Sequence, residues 1–227
     1  MRPGDAVMYA DLGYHSAQYA MDWPRERRGV RVERLVIPEP ATRQAVLDAY
    51  AAALSATPRL RLLLLTHMNN RTGLVLPVRQ IVAMARARGV DVIVDAAHSW
   101  GQLDFTIADL DADFGVFSLH KWMGAPLGSG FLYIRRDRLA DIDPAYADQS
   151  HPADDIRSRV HSGTRDVAPV LAVDAALPRR CSPPLSTSTT SRRRCGDSPR
   201  QVPAGGAHER GRALTGNGLP AVPIWGR

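Results

Sequence analysis

Apolar positions follow two rhythms along the first 175 residues. Short, densely apolar runs read as strands. They are residues 6–12 (AVMYADL) after the turn signal Pro3-Gly4-Asp5, residues 59–66 (RLRLLLLT), 91–94 (DVIV), 114–118 (FGVFS) and 130–134 (GFLYI). Residues 30–37 (VRVERLVI) alternate apolar with charged side chains and read as a further strand. Between the runs the spacing turns helical. The aromatic segment with Tyr14, Tyr19 and Trp23 is predicted helical in its first part. Thr42 is a suitable N-cap for a helix that aligns Leu47, Tyr50, Ala51 and Leu54 on one face. Pro77 suits the first position of another, with inner face Val78, Ile81, Val82 and Ala85, closed by Gly89. Strands apolar on both faces, alternating with helices, predict an α/β fold: a mainly parallel sheet with helices on both faces.

The rhythm stops near Ala176. Beyond it Pro, Ser, Thr, Arg and Gly dominate, a composition that buries too little surface to offset chain entropy. The expected organisation is one domain over residues 1–175 and a disordered basic tail over 176–227. Nine tail arginines face only Asp197 and Glu209, so the tail carries +7 of a chain total of +6 and the domain is close to neutral. A basic tail attracts polyanions, but this one lacks the interleaved aromatics of a nucleic-acid module, and no specific nucleic-acid binding is expected. Cys181 and Cys195 match no zinc spacing, so no metal site is expected. No apolar stretch approaches membrane-spanning length, and MRPGDAVMYADLGY does not read as a signal peptide. The expected setting is the cytoplasm.

Of 29 basic residues only Lys121 is a lysine. Under so strong an arginine bias, a lone lysine suggests chemistry a guanidinium cannot perform: an amine can lose its proton and form a Schiff base. Lys121 lies in SLHKWMGAPLGSG, residues 118–130, just after a predicted strand. There partial desolvation favours the neutral amine, and Ser118 and His120 could donate to a phosphate. A surface lysine in a glycine turn is the plainer alternative. A second motif, VIVDAAHSWG at residues 92–101, ends an apolar strand on Asp95 with His98 three residues on. A carboxylate there needs a cationic partner such as a protonated pyridine nitrogen; a capping Asp and a core His are the alternative. A third, THMNNRTG at residues 66–73, offers Asn69 to a phenolic oxygen or a substrate, or simply makes a turn.

Taken together and in this order, the three motifs resemble the class V aminotransferases, fold-type I enzymes dependent on pyridoxal 5'-phosphate (PLP) that include isopenicillin N epimerase-like proteins and cysteine desulfurases. The resemblance runs from Pro3 to about Ala175 and includes HSGTRDVAP at residues 161–169. It implies that Lys121 forms the Schiff base with PLP, and that Asp95 pairs with the ring nitrogen and keeps it protonated. It also implies that His98 and Asn69 approach the phenolic oxygen or the substrate, and that Ser118 and His120 contact the phosphate. Gly163 and Thr164 match a loop that reaches the phosphate of a neighbouring subunit, which implies a homodimer. Relative to the family the chain is expected to be truncated at both ends. A phosphate-binding helix start and a ring-stacking aromatic or His would precede Met1, and a small domain with a carboxylate-binding arginine would follow.

The implied function is PLP chemistry on an amino acid, with transaminase, epimerase and carbon–sulfur lyase left open. A desulfurase is disfavoured, because both cysteines lie in the tail. The alternative is a non-enzymatic protein, either a truncated remnant or a basic-tailed binding protein. A dinucleotide-binding oxidoreductase is disfavoured by the lack of a G-x-G-x-x-G after a strand.

Overall fold

The structure, a computed structural model, describes residues 1–146, 150–161, 163–181 and 224–225. Its sheet takes the order β2-β1-β3-β4-β5-β6-β7, from β1 (Ala6–Ala10), β2 (Arg31–Leu35), β3 (Leu60–Thr66), β4 (Asp91–Asp95), β5 (Phe114–Ser118), β6 (Gly130–Ile134) and β7 (Ile224–Trp225). The first five run parallel. The loop of residues 119–129 is too short to carry a crossover helix, so β6 returns antiparallel on β5, and β7 pairs antiparallel with β6.

Helices cover both faces, as expected. On one face lie α2 (Arg43–Ala56), α3 (Val78–Arg86) and the short α4 (Ile107–Leu110). Val46, Tyr50 and Leu54 of α2 and Val78, Ile81, Val82 and Ala85 of α3 pack there on Met8, Leu63, Leu65, Val92 and Val94. On the other, Met21 of α1 (His15–Arg28) closes over Val7, Tyr9 and Leu64. The apolar run of β3 serves both cores through a register shift: Ala6 pairs Leu60 but Val7 pairs Leu62. Arg61 is the extra residue, left exposed.

Local signals account for most boundaries. The Thr42 hydroxyl accepts from Ala45 N at 3.2 Å and starts α2. Pro77 is the N-cap of α3 rather than its first residue. Two helices exceed the expectation. The helix α1 continues through Pro24, because the carbonyl left without a partner belongs to Ala20, an exposed residue that water can serve. The helix α6 (Val173–Cys181) follows α5 (Ala168–Leu171) and crosses the expected boundary at 175, since Val173 and Ala176 find an apolar seat on Leu119 and Ala125. Apart from the end of α6 and β7, the tail lies outside the described residues.

Candidate active site

Parallel sheets of this kind bind ligands outside the carboxyl ends of their strands. The loops after β1, β3, β4 and β5 meet there. Asp95 ends β4 beside β5, its Cα opposite Val116. It is 8% exposed, and its Oδ1 accepts from Ala97 N at 3.0 Å. No donor among the described residues meets its Oδ2. A compact turn follows. Trp100 N donates to Ala96 O, while Gln102 N and Leu103 N donate to Ser99 O. Trp100 locks this turn edge-on against Phe105, Phe117 and Phe131 at 5.0–5.6 Å.

Lys121 stands on the loop after β5, and that loop is tied to itself. The Ser129 carbonyl accepts from Leu119 N at 3.0 Å, His120 N at 3.3 Å and His120 Nδ1 at 2.9 Å. Ala125 N donates to Leu119 O and Gly124 N to Lys121 O. Gly130 follows at a place with no room for a side chain: a Cβ there would sit 2.6 Å from the Phe117 carbonyl oxygen. Lys121 is half-buried and makes no ion pair among the described residues. Its Nζ lies 5.8 Å from the centre of the Tyr14 ring.

His98 joins the two halves. Burial holds its pKa below the ordinary histidine value, the positive charge of Lys121 lowers it further, and the carboxylate of Asp95 opposes both. The half-buried imidazole stands on the turn after β4, and Asp95 and Lys121 follow the carboxyl ends of the neighbouring strands β4 and β5.

The other expected site residues stand differently. Ser118 ends β5, half-buried, and its hydroxyl makes no hydrogen bond among the described residues. His120 donates through Nδ1 to the Ser129 carbonyl, which leaves Nε2 as the nitrogen available to a ligand. Asn69 is buried with both polar atoms engaged. Its Nδ2 donates to Leu12 O, and its Oδ1 accepts from Arg71 N, Thr72 N and Thr72 Oγ1 at 2.8–3.0 Å. It ties the loop after β3 to the loop after β1. Thr164 is exposed and makes no hydrogen bond or ion pair with the other expected residues.

Tyr14 is the site residue that sequence reasoning missed. Its place just after the carboxyl end of β1 was the available signal. A cavity of about 890 Å³ lies elsewhere. It is lined by Ile134, Leu139, Ile156 and Arg159 among others, at the amino ends of the parallel strands, where Ile134 pairs with Phe114. No group of three or more metal-ligating side chains and no helix long and apolar enough to cross a membrane occurs among the described residues.

The mainly parallel sheet with helices on both faces is that of the fold-type I PLP-dependent enzymes. The chain belongs to the class-V aminotransferase family, whose model matches residues 1–179. Family members are PLP-dependent. It is 31% identical over 191 residues to isopenicillin N epimerase of Streptomyces clavuligerus, matching 77% of this chain and 48% of that protein. Among solved structures it resembles the Escherichia coli cysteine desulfurase CsdA, with TM-score 0.66 and 26% identity over 79% of this chain and 46% of that one. It is equally similar, at TM-score 0.66 and 26% identity over 79% and 50%, to a variant of C-DES with glycine covalently linked to its PLP cofactor. The chain spans about half the length of the relatives it matches.

Proposed function

We propose that this chain is part of a PLP-dependent enzyme acting on an amino acid, with Lys121 as the amine that holds the cofactor and a reaction of transaminase, epimerase or carbon–sulfur lyase type. The observation that carries it is a half-buried lysine on the loop after β5 beside a buried carboxylate that ends the neighbouring strand β4. The donor set fits the group. A buried carboxylate with one oxygen unengaged suits a cationic ring nitrogen, and an amine with no carboxylate partner suits an electrophilic carbon. In this reading residues 1–175 form part of the large, cofactor-binding domain.

When bound, the cofactor supplies that carbon and a ring that takes up an electron pair from the substrate. The rest falls to the chain. Asp95 holds the proton on the ring nitrogen. His98, three residues on, would hydrogen-bond the same ligand. The Lys121 amine would act as the base and acid that moves a proton at the substrate's alpha carbon. Tyr14 flanks the lysine on the side of β1. The Ser118 hydroxyl is free to meet a phosphate, and His120 does so when protonated. Asn69 keeps the floor of the crevice in place. A homodimer belongs to the same proposal. Thr164 makes no polar contact with its own site, and Trp122 and Leu127 beside the lysine are 46% and 86% exposed.

The test is reductive trapping. Protein mixed with PLP and borohydride should gain one stable adduct, on the peptide containing Lys121, the chain's only lysine. Lys121→Ala should abolish it. An adduct confined to the N-terminal amine, or none, overturns the reading.

A further inference from the structure

We propose that Gly101 and Met123 form a positioning contact that sets where Lys121 stands relative to His98 and Asp95. The placement of Lys121 matters through the function proposed above, and the inference rests on that reading, but the contact can be tested without cofactor.

The turn after β4 carries Asp95 at its start, His98 in its middle and Gly101 at its end. Gly101 has φ +80°, a conformation in which any side chain is strained. Its open face is not empty. A Cβ built there would lie 2.6 Å from Met123 Sδ, 3.0 Å from Met123 Cγ and 3.3 Å from Met123 N. The sulfur could swing away, but the backbone nitrogen belongs to the loop itself. Met123 sits inside the turn closed by Gly124 N donating to Lys121 O, two residues from the lysine. It also packs among Leu119, Ala125, Val173 and Ala176, so it has little freedom to retreat. The lysine loop thus rests directly on the turn that carries the other two polar groups, and the seat exists because residue 101 has no side chain. Gly89 supplies the contrast. Its φ is +68°, nothing lies within 4 Å of its Cβ position, and it precedes β4 at the opposite end of the sheet.

His98 reports the distance. Because the charge of Lys121 lowers its pKa, withdrawing the lysine raises it. The experiment follows the His98 imidazole through a pH titration by NMR in the full chain, assigned by loss of the signal in His98→Gln, and in parallel the rate of PLP trapping on Lys121. Gly101→Ala should raise the His98 pKa in the direction given by Lys121→Gln and slow trapping by on the order of 100-fold, the cost of a displacement near 1 Å at a reacting group. Met123→Ala, which strains no backbone, should shift the titration the same way by less. Adding it to Gly101→Ala should recover part of the shift, since it removes Sδ and Cγ but leaves the Met123 backbone nitrogen and the strain at φ +80°. Gly89→Ala, equally strained, should lower thermal stability and leave both readouts unchanged. The inference is overturned if Gly101→Ala and Met123→Ala leave the His98 titration as in the parent, or if Gly89→Ala moves it as much. Those results would leave Lys121 trapping, and so the proposed function, standing. Conversely, absence of trapping with the shifts intact would remove the function and keep the contact.

Discussion

His67 makes the fold acid-sensitive at the base of the site. Its ring is 8% exposed, packs edge-on against Phe105 at 4.7 Å, and has an Nδ1 with no partner among the described residues. Burial pushes its pKa down from 6.5 to about 4. Between those values the unfolded chain binds a proton that the native state refuses, so this contribution is fully present above pH 6.5 and lost as pH falls towards 4. At about pH 4.5 the native state should be weaker than at neutrality by roughly 2–3 kcal/mol from this group, a large part of an ordinary domain's stability. His67 N donates to Asp95 O at 2.9 Å, so loosening here reaches the carboxylate strand directly. The clean perturbation is His67→Leu, of similar volume and without a polar atom to bury. Urea unfolding at about pH 7 and about pH 4.5 compares it with the parent. The variant should be near-neutral at the higher pH and more stable by about 2 kcal/mol or more at the lower. Equal pH dependence in the two proteins would refute the argument, because carboxylates elsewhere act on both alike.

Two further substitutions separate scaffold from site. Asp113 is 4% exposed, accepts from Val92 N at 2.7 Å and meets Arg135 at 2.7 Å at the amino ends of the strands. Asp113→Ala should cost about 1–3 kcal/mol in urea unfolding, since it leaves the Val92 amide without its acceptor while Arg135 keeps Asp137, and Asp113→Asn less. The folded fraction of either should still trap PLP on Lys121 at the parent rate. Asn69→Ala should cost about 2–4 kcal/mol, and amide exchange at Arg71 and Thr72, which donate to its Oδ1, should accelerate before that of the strands.

The apolar rhythm located six strands and both long helices on the α2/α3 face because buried parallel strands leave dense runs that little else produces. Elements held by other means were harder to read. The helix α4 rests on a capping box between Thr106 and Asp109, visible in TIAD but too short to show a period. The length of α1 depends on solvent serving the Ala20 carbonyl, and α6 depends on a seat formed by a distant loop. The same division holds in the site. Asp95, His98 and Lys121 follow strands directly, so chain order alone placed them at one end of the sheet. Tyr14 reaches the lysine from β1, with β3 and β4 between its strand and β5. No local pattern records that meeting, nor that of Gly101 with Met123. Asn69 was legible as an amide on a loop, but the consumption of both its polar atoms by Leu12, Arg71 and Thr72 was not.

What the described residues hold by themselves bears on how the site assembles. One carbonyl, that of Ser129, gathers three donors from the lysine loop, and the aromatic cluster around Trp100 fixes the turn that carries His98. These ties close within residues 95–131; from beyond that span come the bond of His67 N to Asp95 O and the packing of Val173 and Ala176. Groups that would grip a phosphate or a substrate carboxylate are a separate matter. Among the described residues Ser118 offers an uncommitted hydroxyl, and Thr164 stands exposed. Reactivity and affinity should therefore come apart in this chain. In the proposed function the residues for covalent capture stand on one short, largely self-tied stretch, whereas tight retention would draw on donors from several elements and, in the proposed dimer, from a second copy. Trapping at high PLP concentration combined with rapid loss of unreduced cofactor on dilution is the behaviour this division requires.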